Sequence, residues 1–234
     1  MNNDKALSSL SIYFPAYYDE NTVEPLARSC IEIAKKLTDD YEVIIVDDKS
    51  PDKVGEIADR LAREIPQIRV IHHAENMGVG QAMISGYRHA TKDWVFYTDG
   101  DAQYDVCELP LLAQHVKDFD IVIGYRLNRA EGFKRVFTSK VFHFFIFCLF
   151  GVHFKDIDCS FKLTHRRFLE KISFHTNSGL VDAELLIQAK RLRIPVKEIG
   201  VHHYPRKFGS SHCLRLKLVL SMLLDMLKLR FKLW

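Results

Sequence analysis

Between Leu10 and Gly124, short apolar runs alternate with longer stretches in which apolar residues recur every three or four positions. LSIYF (10–14), YEVIIVDD (41–48), IRVIHH (68–73), WVFYTD (94–99) and DIVIG (120–124) read as strands. The second shows no polar alternation, which predicts burial of both its faces. The segments between them read as helices. Asn21 and Glu24 make an N-cap and capping partner for one that ends near Leu37. Ser50-Pro51 offers an N-cap and N1 proline for a second, to about Ile65. Asn76 caps a third from Met77 to Ala90, and a fourth lies around Leu109–Lys117. Repeated strand–helix–strand units imply an α/β fold, a mostly parallel sheet flanked by helices. Ligands of such sheets bind beyond the carboxyl ends of the strands, which makes neighbours of Pro15–Asp19, Asp47–Ser50 and Asp99–Gln103.

After Gly124 the pattern changes. The basic segment YRLNRAEGFKR (125–135) runs into VFHFFIFCLFGVHF (141–154), which is too short to span a bilayer at about 20 residues. A strand around Ser160–Leu163, a helix near Asp182–Arg193, a strand within IPVKEIGVHHY (194–204) and the loop PRKFGSSH (205–212) follow. The leucine-rich end is broken by Lys217, Asp225, Lys228, Arg230 and Lys232, a pattern for a helix lying on a surface rather than crossing a membrane. A core helix and a partner-docking helix are the alternatives for these two segments.

Composition narrows the classes little. The chain is 47 % apolar and 27 % charged, ordinary for a soluble globular protein. Net charge is only +3, but eleven Lys and Arg face two acidic residues between Leu186 and Trp234. That imbalance favours an anionic partner (phosphate, nucleic acid or lipid headgroups) over a merely solvated basic face. Five dispersed cysteines without C-x-x-C speak against a zinc site or a disulfide framework and suit a reducing compartment. MNNDKALSSL carries no apolar h-region, so no secretory signal is expected.

The candidate chemistry is Asp99-Gly100-Asp101. D-x-D also occurs at 118/120 and 156/158, but only 99/101 closes a buried strand on the ligand side of the sheet. Residues two apart in an extended chain project to the same side about 7 Å apart. One carboxylate can then hold a divalent ion while the other meets the ligand. Gly100 permits close backbone approach, and Gln103 adds a neutral oxygen suited to Mg²⁺ or Mn²⁺. A haloacid-dehalogenase-type phosphatase also uses an aspartate pair two apart, though near the N-terminus. A catalytically silent membrane-docking subunit is a further alternative.

FPAYYDE (14–20), VIIVDDKSPD (43–52), ENMGVGQA (75–82), YTDGDAQYD (97–105), IGYR (123–126), DIDCSFKL (156–163), DAELL (182–186) and YPRKFGSS (204–211) occur in one order. In this the chain resembles the inverting nucleotide-sugar glycosyltransferases of the GT-A fold, in the branch like dolichyl-phosphate mannose synthase and bacterial polyprenyl-phosphate glycosyltransferases. The resemblance implies a GT-A domain over 1–212, with a membrane-facing segment at about 133–154, and an amphipathic helix at 213–234. It places Pro15, Tyr17, Asp19, Asp47, Asp48, Asn76 and Gly78 around the nucleotide, and Asp99 at the ribose and sugar. Asp101 and Gln103 become the metal ligands, and Arg126 lies near the donor phosphates. Lys134, Arg135 and Ser139 fall on the acceptor lipid's phosphate, and Arg206, Gly209 and Ser211 on the loop over the diphosphate. Asp182 or Glu184 would serve as base only for a hydroxyl acceptor.

The implied reaction is Mg²⁺- or Mn²⁺-dependent sugar transfer from a UDP- or GDP-linked donor to a polyprenyl phosphate. The implied place is a peripheral one at the cytosolic membrane face, with a possible separate membrane subunit and no nucleic-acid partner. The chain departs from the family pattern at Lys49 (for glycine), at Tyr18-Asp19 (for asparagine-glutamate), at Ser160 (for glycine) and at His212 (for a basic residue). Many relatives also continue into transmembrane helices.

Overall fold

The structure is a computed structural model that describes residues 5–127, 133–206, 208 and 216–233; the side chains of 133–137 and 216–223 lie outside that description. Seven strands form one sheet: β1 (Leu10–Ala16), β2 (Tyr41–Asp47), β3 (Ile68–His72), β4 (Trp94–Thr98), β5 (Ile121–Arg126), β6 (Phe161–His165) and β7 (Val196–Val201). Their order is β3-β2-β1-β4-β6-β5-β7, and only β6 runs antiparallel to its neighbours. The reversal of β6 matters for the site. It brings the loop before Phe161 to the same edge as the carboxyl ends of β1, β2, β4 and β5.

Alternation along the central strands divides the core between two faces. Ile12, Phe14, Val43, Ile45 and Phe96 pack on one side with α1 (Val23–Leu37) and α2 (Val54–Glu64). Tyr13, Ile44, Val46, Val95 and Tyr97 pack on the other with α3 (Val79–His89) and α7 (Val181–Arg191). The apolar stretch of β2, Val43 to Val46, is thus buried on both faces, as its sequence requires. Each such side chain removed from water contributes about 1.5–3 kcal/mol. The first face also takes α4 (Leu109–Ala113), shorter than the expected 109–117. A four-residue helix, α6 (Arg166–Leu169), follows β6 directly.

Three helix starts differ from the sequence reading. Thr22, not Asn21, stands at the N-cap of α1, because the Thr22 and Val23 amides already close a turn on the Asp19 carbonyl. Residues 50–52 form their own turn, with Ser50 Oγ donating to Asp52 and Val54 N donating to the same carboxylate, so α2 begins at Val54. Gly78 at φ 85 breaks the helical path after Asn76, and α3 begins at Val79.

The two membrane-facing candidates are helices α5 (Phe133–Phe150) and α8 (Leu216–Leu233), which pack on each other. Ile146 and Phe150 of α5, with Met226, Leu229 and Leu233 of α8, are buried in the second core face. Phe144, Phe147, Leu224, Leu227 and Phe231 stay exposed. Among the described residues no helix is long and apolar enough to cross a membrane.

α3 lies so close to β1 that a Cβ on Gly86 would sit 2.0 Å from the buried Tyr13 ring. Gly86→Ala is therefore expected to destabilise the fold by about 1–3 kcal/mol, as a lower urea midpoint at unchanged slope.

Candidate active site

Four loops at the carboxyl edge of the sheet build the site. The β4 loop turns at Gly100, where a Cβ would come within 2.2 Å of the Pro15 carbonyl oxygen. Only glycine fits that approach. Thr22 Oγ1 donates to the Gly100 carbonyl at 2.8 Å and ties the two loops together. Tyr18, Lys49 and Ala102, one in each of the loops after β1, β2 and β4, have φ of 60, 56 and 56°. Left-handed conformations at non-glycine residues cluster where function demands a shape. Lys49 in place of the family's glycine is held in the conformation glycine adopts freely.

The acid pair is oriented by its own surroundings. Tyr97, fully buried, donates its hydroxyl to Asp99 Oδ1 at 2.9 Å. Asp101 Oδ1 accepts from the Gln103 amide at 3.0 Å, and Asp101 Oδ2 meets the Arg206 guanidinium at 2.5 Å. Arg206 reaches across more than a hundred residues because the chain pairs with itself there. Gln103 and Tyr204 exchange two hydrogen bonds at 2.8 Å, and Tyr104 bridges to His203. Asp19 Oδ2 accepts from the Tyr17 amide at 3.0 Å and lies beside Gly100 as well. Burial pushes the carboxyls of both Asp19 and Asp101 up to about 6, Asp99 adds to the rise, and Arg206 opposes it.

This donor set fits a hard divalent ion. Asp101 would supply carboxylate oxygen, and Gln103, whose Nε2 is committed to the Tyr204 carbonyl, has its amide oxygen left for a ligand. The cation-seeking character of the pocket is visible in the raised Asp101 carboxyl and in the Arg206 contact.

Other sequence candidates are placed differently. Asp48 is buried, and its carboxylate is taken by His73 Nδ1 at 2.6 Å and by the Met77 and Gly78 amides at 2.8 Å. Asn76 Nδ2 donates back to the Asp48 carbonyl. Asp47 accepts from Ser50 N and lies 2.8 Å from His72 Nδ1. Both aspartates stand at the carboxyl edge of the sheet as organisers of its turns.

Arg126, at the end of β5, forks onto both oxygens of Asp156 at 2.6 and 2.7 Å, with both side chains almost wholly buried. Ser139 of α5 donates to Asp158 at 2.8 Å. The side chains of Lys134 and Arg135, and residues Gly209, Ser211 and His212, lie outside the described residues.

Neither candidate base is at liberty. Asp182 receives Lys162 Nζ at 2.6 Å, and the same fully buried ammonium donates to the Ile157 and Cys159 carbonyls. Burial raises the Asp182 carboxyl to about 6 even against Lys162. Glu184, fully buried, accepts from the His175 and Thr176 amides and from Thr176 Oγ1. Both are interior anchors. Tyr97, Thr22, His73 and Lys162 escaped the sequence reading. Of these only Tyr97 left a signal, two residues before Asp99 on the same strand face.

The geometry defines an acidic, cation-seeking site at the carboxyl edge of an α/β sheet, and residues 11–173 match the profile of Glycosyl transferase family 2, so the chain belongs to that family. An undecaprenyl-phosphate 4-deoxy-4-formamido-L-arabinose transferase of Photorhabdus laumondii is 28 % identical over 94 % of this chain and 67 % of its own length. A dolichyl-phosphate β-glucosyltransferase of Trichomonas vaginalis is 29 % identical over 85 % of this chain and 66 % of its own length. The chain thus spans about two thirds of these relatives. Among solved structures, glucosyl-3-phosphoglycerate synthase from Mycobacterium tuberculosis, in complex with Mn²⁺, UDP-glucose and phosphoglyceric acid, superposes with a TM-score of 0.74. It covers 95 % of this chain and 80 % of its own, at 16 % identity, which speaks for the fold. The GT-A expectation is borne out, and the phosphatase reading falls away.

Asp19 and Asp101 titrate near 6 in the folded chain but near the ordinary ~3.9 once unfolded. Over that interval the native state binds more protons than the unfolded one, so metal-free stability should rise as pH falls from 7 to 5. Denaturant titrations across that range check it, and Asp101→Asn should flatten the rise.

Proposed function

We propose that this protein is an inverting glycosyltransferase that moves a sugar from a UDP- or GDP-linked donor to a polyprenyl phosphate. The observation that carries the reading is the engagement of both candidate bases, Asp182 with Lys162 and Glu184 with the 175–176 amides. A hydroxyl acceptor needs a base to take its proton. A phosphate oxygen arrives already ionised, attacks the anomeric carbon, and displaces the nucleoside diphosphate as the sugar–phosphate bond breaks. The names of the Photorhabdus and Trichomonas relatives, both transferases to polyprenyl phosphates, support this acceptor.

Asp99, set by Tyr97, holds the ribose and donor sugar, while Asp101 and Gln103 hold Mg²⁺ or Mn²⁺. The ion supplies charge neutralisation to the diphosphate leaving group. Arg206 leaves Asp101 for the same diphosphate, and Gly209 and Ser211 belong to its loop. Pro15, Tyr17 and Asp19 line the base and ribose, and Asp47 and Asp48 shape that subsite through the turns they hold. Arg126, with Lys134, Arg135 and Ser139, serves the phosphates.

Residues 1–212 form the catalytic unit. α5 and α8 lay Phe144, Phe147, Leu224 and Phe231 into a membrane interface, with Lys228 and Lys232 beside them for anionic headgroups. The place is peripheral, at the cytosolic face; attachment through a separate membrane subunit is the alternative.

The test is incubation with Mg²⁺ or Mn²⁺, a panel of UDP- and GDP-sugars and undecaprenyl phosphate. A lipid-linked sugar is expected with at least one donor, and Asp101→Asn should slow its formation by about 10²–10³-fold. No product with any donor, or full activity of Asp101→Asn, would sink the reading. Flotation with anionic vesicles tests the surface. Phe144→Glu and Phe231→Glu should each weaken binding by roughly tenfold or more, whereas unchanged flotation would favour a partner subunit.

A further inference from the structure

His143, Asp156 and Asp158 bring three ligand atoms within 4.8 Å of one another on the inner side of α5. The group has the composition of a metal cage, but its charge is met by the protein. Arg126 covers both oxygens of Asp156. Asp158 is held on a single oxygen, Oδ2, by two donors one helical turn apart: Ser139 Oγ at 2.8 Å and His143 Nε2 at 3.1 Å. Spacing of four along a helix puts those two side chains on one stripe.

We propose that His143 is a positioning residue for the acceptor's phosphate, acting through Asp158 to free the Ser139 hydroxyl. This rests on the polyprenyl-phosphate reading above. A serine hydroxyl has one proton. While Ser139 gives it to Asp158, it cannot give it to a phosphate. When the phosphate arrives the hydroxyl must turn, and Asp158 Oδ2, partly buried, keeps His143 as its hydrogen-bond partner among the described residues.

When protonated, His143 keeps the carboxylate compensated. Without it, a bare negative charge faces the incoming anion and holds the serine proton back. The Asp158 carboxyl is consistent with this pairing: burial raises it, but the hydrogen bond and charge of His143, with Ser139 and Arg126, bring it below the ordinary carboxylate range. A purely structural staple between α5 and the 156–160 loop would need a hydrogen bond but no charge, and that difference is measurable.

The experiment is equilibrium binding of a short-chain prenyl phosphate, with the prenyl alcohol of equal length and Mn²⁺–UDP as controls. His143→Gln should bind the phosphate about tenfold more weakly, the scale of one hydrogen bond to a charged group, with alcohol and nucleotide binding unchanged. His143→Arg, which restores the charge, should recover most of the loss. The effects of His143→Gln and Ser139→Ala should combine to less than their product, since both pass through Asp158.

If His143→Gln loses its cooperative melt, Asp158→Asn tests the same idea from the other side. With the competing charge gone, it should bind the phosphate at least as tightly as the unaltered protein. Unchanged phosphate binding by His143→Gln, a parallel loss of alcohol and nucleotide binding, failure of His143→Arg to recover, or weaker binding by Asp158→Asn would each overturn the proposal. An unaltered protein that binds the prenyl phosphate normally yet transfers no sugar would sink the functional reading and leave this one standing.

Discussion

Asp19, Asp99 and Asp101 converge where β1 and β4 end, and the neighbouring loops are arranged around the electrostatic cost of holding them there. Each acid is tied by a hydrogen bond: Asp19 to the Tyr17 amide, Asp99 to the Tyr97 hydroxyl, Asp101 to the Gln103 amide. Those bonds orient the carboxylates without neutralising them, and burial with mutual repulsion lifts Asp19 and Asp101 to about 6. Such a pocket binds cations. Arg206 answers that demand through its contact with Asp101, and a divalent ion with a diphosphate would answer it in the same place. The close approach of Gly100 to Pro15 makes the convergence possible, since any side chain there would force the two loops apart.

The distant parts of the chain enter through the sheet. The two-bond exchange between Gln103 and Tyr204 sets the 204–206 segment directly over the acid pair. The antiparallel β6 returns the 156–160 loop to the same edge, and Lys162, buried in that strand, clamps the loop by two carbonyls and secures it to α7 through Asp182. Removing one partner of such a buried pair typically costs 3–5 kcal/mol. Asp182 is thereby spent on architecture, and this tilts the chemistry toward an acceptor that needs no base.

Much of this was legible in the residues. Uninterrupted apolar runs located the central strands to within a residue or two, and the strand-end rule singled out Asp99 and Asp101 from two other aspartate pairs. Helix starts were less legible, because Asp19, Asp52 and Gly78 form turns whose hydrogen bonds outcompete the simple capping patterns at Asn21, Ser50 and Asn76. Asp47, Asp48, Asp182 and Glu184 read as ligand-facing acids, since a sequence shows a carboxylate but not what it touches. His72, His73, Lys162 and the Thr176 amide, which occupy them, lie 8 to 25 residues away. The strand β6 was expected near Ser160–Leu163, but its antiparallel direction could not be read, because a five-residue strand carries no sign of it.

The central claim is that the acceptor supplies its own negative charge. It is tested most directly by mass analysis of the lipid product formed from an equimolar mixture of a polyprenyl phosphate and the corresponding free polyprenol. The account predicts the sugar on the phosphate alone, as an acid-labile phosphodiester. Sugar attached to the alcohol oxygen at a comparable rate would contradict it.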